Sequence, residues 1–186
     1  DDYKYSVAYS TELQLGNFMY KTPKETAGNF IETYGINGFN SCFTKGKSGS
    51  YEPISDSIIT KFQQPELKKY GPKINKILES LEKATGPIAI YSNYIYGGLI
   101  PMVIALELAG YTRYDGVKEF IKSSSKPSKS KGKYVLFTGD KAMSKGGDKY
   151  VGLRASMIKE KDVKVFLFSS AGSEGLSLFG YREMHI

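Results

Sequence analysis

Residues 163–178 read Val163-Lys164-Val165-Phe166-Leu167-Phe168-Ser169-Ser170-Ala171-Gly172-Ser173-Glu174-Gly175-Leu176-Ser177-Leu178. The first six residues are a short, nearly continuous apolar run, the mark of a strand buried on both faces. The chain then changes at Ser169 to hydroxyl residues, two glycines and one carboxylate. Gly172 and Gly175 permit unusual backbone angles and the close approach of another backbone. Hydroxyls and backbone N–H groups are the usual neutral contacts to phosphate oxygens. Glu174 is suited to accept hydrogen bonds from a ribose, or to meet a basic residue of a neighbouring domain. Gly/Ser-rich loops are common in α/β proteins, so the pattern alone marks a sheet edge before it marks a function.

The same signature occurs twice upstream. Tyr134-Val135-Leu136-Phe137-Thr138 runs into Gly139-Asp140, and Ile88-Ala89-Ile90-Tyr91-Ser92 runs into Asn93. Ile74, Ile77, Leu78 and Leu81 lie at helical spacing, which predicts a helix over 67–84 stopped by Gly86-Pro87. Gly97-Gly98 introduces a second apolar helix, 97–109, ended by Gly110. A third helix is expected over 148–160 and a fourth strand over 182–186. Alternating strands and helices predict an α/β fold, doubly wound, with 87–92, 134–138 and 163–168 side by side in a mainly parallel sheet and helices on both faces. Ligands of such sheets sit at the carboxyl ends of the strands. The candidate binding residues are therefore Tyr91, Ser92, Asn93 and Gly98, then Thr138 and Gly139, then Ser170, Gly172, Ser173, Glu174 and Gly175.

Residues 1–65 show no clean period and read as an irregular Tyr/Gly-rich lead-in, with the α/β domain over 66–186. Thr44 to Ser50 reads as a loop. It contains Gly46-Lys47-Ser48, but no apolar strand precedes it and the full phosphate-loop spacing is missing. Lys122 to Lys133 holds five lysines and five serines and no large apolar residue, which predicts a flexible surface loop. A loop of that composition suits nucleic-acid phosphates or simply solvent.

Composition narrows the function classes. The 186 residues carry 26 Lys+Arg and 19 Asp+Glu, a net charge of +7, with 40% hydrophobic residues. No apolar run approaches the ~18 residues of a membrane span, and the first residues lead into no signal-peptide core. With one cysteine, Cys42, and one histidine, His185, the sequence offers no internal disulfide and no Cys/His metal cage. The absence of an initiator Met reads as a fragment or a processed chain. Arg113, Arg154 and Arg182 are the only arginines; the other basic residues are lysines. Lysine is a point charge that suits sequence-independent phosphate attraction better than base reading, although an AT-rich genome produces the same skew.

The order and spacing of Val165 to Leu178, continued by Arg182-Glu183-Met184-His185-Ile186, resembles motif V of superfamily 2 helicases. The version it most resembles is that of transcription-associated ATPases of large cytoplasmic DNA viruses: the poxvirus early transcription factor helicase subunit and transcription-termination ATPase, with asfarvirus and giant-virus relatives. Gly86 to Asn93, Gly97-Gly98 and Leu106-Glu107-Leu108-Ala109-Gly110-Tyr111 are similar to their motif IV region, and Tyr134 to Asp140 resembles the strand between the two motifs. The likeness covers roughly residues 70–186. It implies the second RecA-like lobe of a nucleic-acid-dependent ATPase, incomplete at the C-terminus. In that family ATP and Mg²⁺ lie between two lobes, and the first lobe holds the phosphate loop and the Mg²⁺ carboxylates. An arginine-finger motif, Gln-x-x-Gly-Arg-x-x-Arg, would follow Ile186. Ser177 stands where the wider superfamily often has Asn. The resemblance thus implies no catalytic residue and no metal ligand in this chain, and no ATP bound by it alone. The implied partners are the DNA phosphate backbone, the first RecA-like lobe of the same polypeptide, and viral RNA polymerase or transcription factor subunits, in the host cytoplasm or the virion, without a membrane.

Two other readings compete. In a Rossmann-like nucleotide-binding transferase, Ala171 to Gly175 would be the cofactor loop; yet it follows the third strand instead of the first, and no Gly-x-Gly-x-x-Gly exists. A non-catalytic accessory lobe would bind nucleic acid or polymerase through its Tyr- and Lys-rich surface.

Overall fold

The computed structural model describes residues 2–114, 118–139, 143, 163–173 and 183–185. Its centre is a five-stranded, wholly parallel sheet in the order β4-β5-β6-β3-β7, with β3 at Ile88–Tyr91, β4 at Tyr111–Arg113, β5 at Gly132–Phe137, β6 at Val163–Phe168 and β7 at Glu183–His185. The three strands expected side by side are adjacent, and the fourth pairs with β3 at the edge. The architecture is α/β and fits a RecA-like lobe. The short strand β4 was not expected; its Tyr-Thr-Arg sequence is too short and too polar to stand out.

One face of the sheet, built by Ile88, Ile90, Tyr134, Leu136, Val165 and Leu167, joins the main hydrophobic core. The other face carries Ala89, Val135, Phe137, Val163, Phe166 and Phe168 in a second cluster. Val163 and Val165 lie two apart yet face opposite ways. The register shift at Lys133/Tyr134 explains this: Lys133 pairs with Val163 and Tyr134 with Val165, so Lys164 is an extra residue, a β-bulge. The helix expected over 148–160 lies outside the described residues.

The helix expected over 67–84 is two helices, α4 (Leu67–Tyr70) and α5 (Pro72–Lys83). Pro72 has no N–H, and its ring would strike the carbonyl four residues back, so the helix breaks and restarts with proline in its first turn. Gly71 sits at the break because a Cβ there would lie 2.7 Å from the Phe18 ring. The helix expected over 97–109 begins as a π-helical turn, Ile95–Leu99, and continues as α6, Ile100–Leu108. Leu99 N–H donates to Tyr94 O at 3.0 Å, the i→i+5 bond of that turn.

All nine residues of α6 are buried. A helix that is apolar all round needs cover on every side, and residues 18–62 supply it. Helix α1 (Asp2–Asn17) leads into an aromatic layer of Phe18, Tyr20, Phe39, Phe43 and Phe62, which shares one core cluster with α6 and the sheet. Phe18 and Phe62 stack at 4.2 Å and Phe39 and Phe43 at 5.1 Å, arrangements that contribute roughly 0.5–1.5 kcal/mol per pair beyond burial. Between these rings lie only short elements: a 3₁₀ turn (Phe30–Thr33), α2 (Gly35–Asn40), the antiparallel pair β1 (Phe43–Lys45) and β2 (Tyr51–Pro53), and α3 (Asp56–Thr60). Lys61 is buried here: its Nζ donates to Tyr20 O at 3.0 Å and to Glu25 Oε1 at 2.7 Å.

The segment Lys122 to Lys133, expected as a flexible loop, is anchored at its start. The Glu107 carboxylate, 2% exposed, accepts from Phe120 N–H (2.6 Å), Ile121 N–H (3.0 Å), Lys126 Nζ (2.8 Å) and Tyr134 Oη (2.7 Å). Tyr51 N–H donates to Phe120 O and Lys122 N–H to Tyr51 O, so residues 120–122 also lie along β2.

Candidate functional site

Because all five strands are parallel, their carboxyl ends emerge along one edge. Ser92, just past β3, donates its N–H to Phe168 O at the end of β6 (3.0 Å); Ser169, just past β6, donates to Phe137 O at the end of β5 (2.9 Å). Three exit loops are thereby tied side by side, and they are the three expected to carry ligand contacts.

The exit of β3 is shaped in detail. Tyr91 Oη donates to Asn93 Oδ1 at 2.7 Å, Tyr94 N–H donates to Ser92 Oγ at 3.2 Å, and Ser92 Oγ donates to Tyr94 O at 3.3 Å. The π-helical turn follows immediately. A Cβ on Gly98 would press on Ser92, whose own Cβ would lie 3.0 Å away, and a Cβ on Gly97 would lie 2.7 Å from Gln14 Cγ. Both glycines therefore let α1 and the Ser92 turn close over the first turn of the helix. π-turns are rare and frequent at functional sites.

Tyr91, Ser92, Asn93 and Gly98 line one cavity of about 220 Å³. Its apolar wall includes Ile74, Ile77, Ile90 and Met102, and its polar rim adds Asn17, Lys73 and His185. Lys73 Nζ donates to Asn17 Oδ1 at 3.2 Å. Neither Asn17 nor Lys73 carries a local sequence signal, since neither lies in a strand exit. His185 was legible in principle: it lies within the expected fourth strand, 182–186, and β7 delivers it to the same edge.

Thr138 and Gly139 leave β5 two strands away, and Ser170 opens the one-turn helix α7 (Ser170–Ser173) after β6. A Cβ on Gly139 would stand 2.7 Å from Ala171 Cβ, so glycine is what lets these two loops touch. Gly172 and Ser173 belong to α7 by backbone. Glu174 and Gly175 lie outside the described residues. The expected residues thus share one edge but divide into two groups: the β3 exit with its cavity, and the touching β5 and β6 exits.

No family model and no solved structure matches the chain. Curated proteins do. It is 26% identical over 165 residues to a candidate ATP-dependent RNA helicase of Acanthamoeba polyphaga mimivirus, an alignment covering 83% of this chain and 23% of that protein. It is 25% and 26% identical over 162 residues to termination factor NPH-I homologs of two African swine fever virus isolates, covering 73% of this chain and 23% of each of those proteins. The likeness is to viral helicase-type ATPases. It agrees with the family resemblance of the motif V and motif IV stretches. The chain spans about a quarter of the length of these relatives.

Proposed function

We propose that the chain contributes the second RecA-like lobe of a viral, nucleic-acid-dependent ATPase, and that the parent couples ATP hydrolysis to movement along DNA during viral transcription. The observation that carries this is the conjunction of motif-like loops with their place in the fold. The motif IV-like and motif V-like exits are hydrogen-bonded neighbours at the carboxyl edge of a parallel sheet, where α/β proteins bind ligands. The relatives named as an RNA helicase and as termination factors support it.

In this reading the β5 and β6 exits, Thr138, Gly139 and Ser170 through Gly175, meet nucleotide and nucleic-acid backbone through N–H groups and hydroxyls, while Tyr91, Ser92, Asn93 and Gly98 shape the lobe's nucleic-acid face. Phosphoryl transfer relies on Mg²⁺ and an arginine finger to offset the charge that develops on the phosphate. ATP and Mg²⁺ would be held mainly by the first lobe, so this chain alone should hydrolyse no ATP. DNA, the first lobe, and polymerase or transcription factor subunits are the partners in this reading, and the host cytoplasm its place.

The test uses the longer polypeptide. Glu174→Ala and Gly172→Val are expected to weaken the coupling of ATP hydrolysis to nucleic acid more than they lower the melting temperature. Loss of folding, with an unchanged nucleic-acid-stimulated rate per folded molecule, would show the loop to be structural and overturn the assignment.

A further inference from the structure

The opposite, amino-terminal edge of the sheet carries a second cleft that the functional reading leaves unused. It is the larger one, about 630 Å³ and open to solvent, walled by the end of α5 (Leu81, Glu82, Ala84) and lined by Lys129, Ser130, Lys131 and Lys164. We propose that this cleft is a sequence-independent contact site for the phosphate backbone of nucleic acid. The choice of nucleic acid as the polyanion rests on the reading above; the cleft itself rests on three separate observations.

First, the lysine-bearing segment is fixed. Lys131 N–H donates to Gly110 O at 2.8 Å, and Ser130 Oγ meets Thr112 Oγ1 at 3.3 Å, with Gly132 N–H on Ser130 Oγ at 3.2 Å. Gly110 has φ +101°, and a Cβ there would lie 3.3 Å from Lys129 O, so the close seat of the segment depends on glycine.

Second, the sheet aims a lysine into the cleft by two local devices. The β-bulge makes Lys164 the extra residue of β6. Gly132, at φ +147°, leaves room for it: a Cβ there would stand 2.5 Å from Lys164 Cγ. Inserting one residue and deleting one side chain carries an exposed cation to a sheet edge where a regular ladder would turn it elsewhere.

Third, the charges divide by role. Lys122 pairs with Glu52, and Lys126 with Glu107 and Glu119, as anchors. Lys129 and Lys164 make no ion pair with a described residue, and Lys131 pairs with Glu82 at 3.4 Å while half exposed. Among the described residues, three lysines and one carboxylate, Glu82, line the open cleft. Hydrated lysines without arginine forks match phosphate attraction rather than base reading.

The experiment measures binding of the full chain to a short fluorescein-labelled DNA duplex by anisotropy across a salt titration. Lys129→Gln/Lys131→Gln/Lys164→Gln is expected to weaken binding at least tenfold at low salt. It should also reduce the slope of log affinity against log salt by about 2–3, near one per lost phosphate contact. A control triple variant at exposed lysines elsewhere, Lys24→Gln/Lys45→Gln/Lys47→Gln, should change the slope little. Gly132→Ala keeps every charge and should weaken binding by displacing Lys164. Equal losses in the cleft and control variants would reduce the effect to net charge and overturn the proposal. So would a cleft variant that melts lower but binds as before, which would assign these lysines to the carbonyl end of α5. If the wild-type chain binds no DNA, the cleft and the nucleic-acid reading both fall; normal wild-type binding with an unaffected cleft variant sinks the cleft alone.

Discussion

Glu107→Leu is the substitution from which the structure expects the largest loss of stability. The carboxylate is 2% exposed and accepts four hydrogen bonds, from two backbone N–H groups, a tyrosine hydroxyl and the Lys126 ammonium. Leucine is close in size and apolar, so the packing of α6 survives while every donor loses its acceptor. A buried donor left unsatisfied costs about 1–3 kcal/mol, and breaking a buried ion pair about 3–5 kcal/mol. Lys126 keeps Glu119 at 2.8 Å and also donates to Ile121 O, which places its share at the low end. The Tyr134 hydroxyl is buried and loses its bond to Glu107 Oε1. With each of the four donors taken at the low end, about 1 kcal/mol, the expected loss is about 4 kcal/mol, or a fall in Tm of roughly 8–16 °C at about 2–4 °C per kcal/mol for a chain this long. Glu107→Gln should cost less, since its amide oxygen still accepts while its NH₂ faces a donor. Urea denaturation followed by circular dichroism reads both. A Glu107→Leu loss below about 1 kcal/mol would mean instead that the four donors find water or new partners at no cost.

Other outcomes follow from the same contacts. Gly98→Ala should cost about 1–3 kcal/mol by overpacking, because Ser92 must move from a Cβ that would lie 3.0 Å away; thermal melting measures it. Burial pushes the Glu25 carboxyl up, but hydrogen bonds from Lys61 and Thr22 outweigh that and hold it below its ordinary value. A depressed carboxylate adds stability that is fully present above the unfolded value, about pH 4.3, and is lost as pH falls through the folded one. Glu25→Gln should therefore flatten the acid limb of a stability-versus-pH curve and leave its shape above pH ~5 unchanged. Cys42 is fully buried, and burial raises its thiol above the ordinary value; it should resist a thiol reagent in the native state and react on unfolding.

The parallel sheet was legible because its central strands are continuous apolar runs, and β6 matches its expected bounds residue for residue. Local backbone chemistry blurred the helices. Gly71-Pro72 cut one helix inside an otherwise periodic stretch, and the π-turn before Pro101 changed the start of the next. Residues 18–62 were harder to read, since their rings enter the core from short, irregular elements that have no period. A signal existed elsewhere, in α6: Ile100 to Leu108 has no polar face except Glu107, so it required a layer on its far side. At the site, the three strand exits were placed by alternation alone. Asn17 and Lys73 arrive from α1 and from the first turn of α5 through tertiary packing, which no local pattern encodes.

A second RecA-like lobe is tested most simply by the rate of ATP hydrolysis in a longer polypeptide containing this chain, with and without nucleic acid. Hydrolysis should rise with added nucleic acid and saturate, and the 186-residue chain alone should show none. Hydrolysis indifferent to nucleic acid, or steady hydrolysis by this chain alone that a substitution within it abolishes, would contradict the assignment of a second RecA-like lobe.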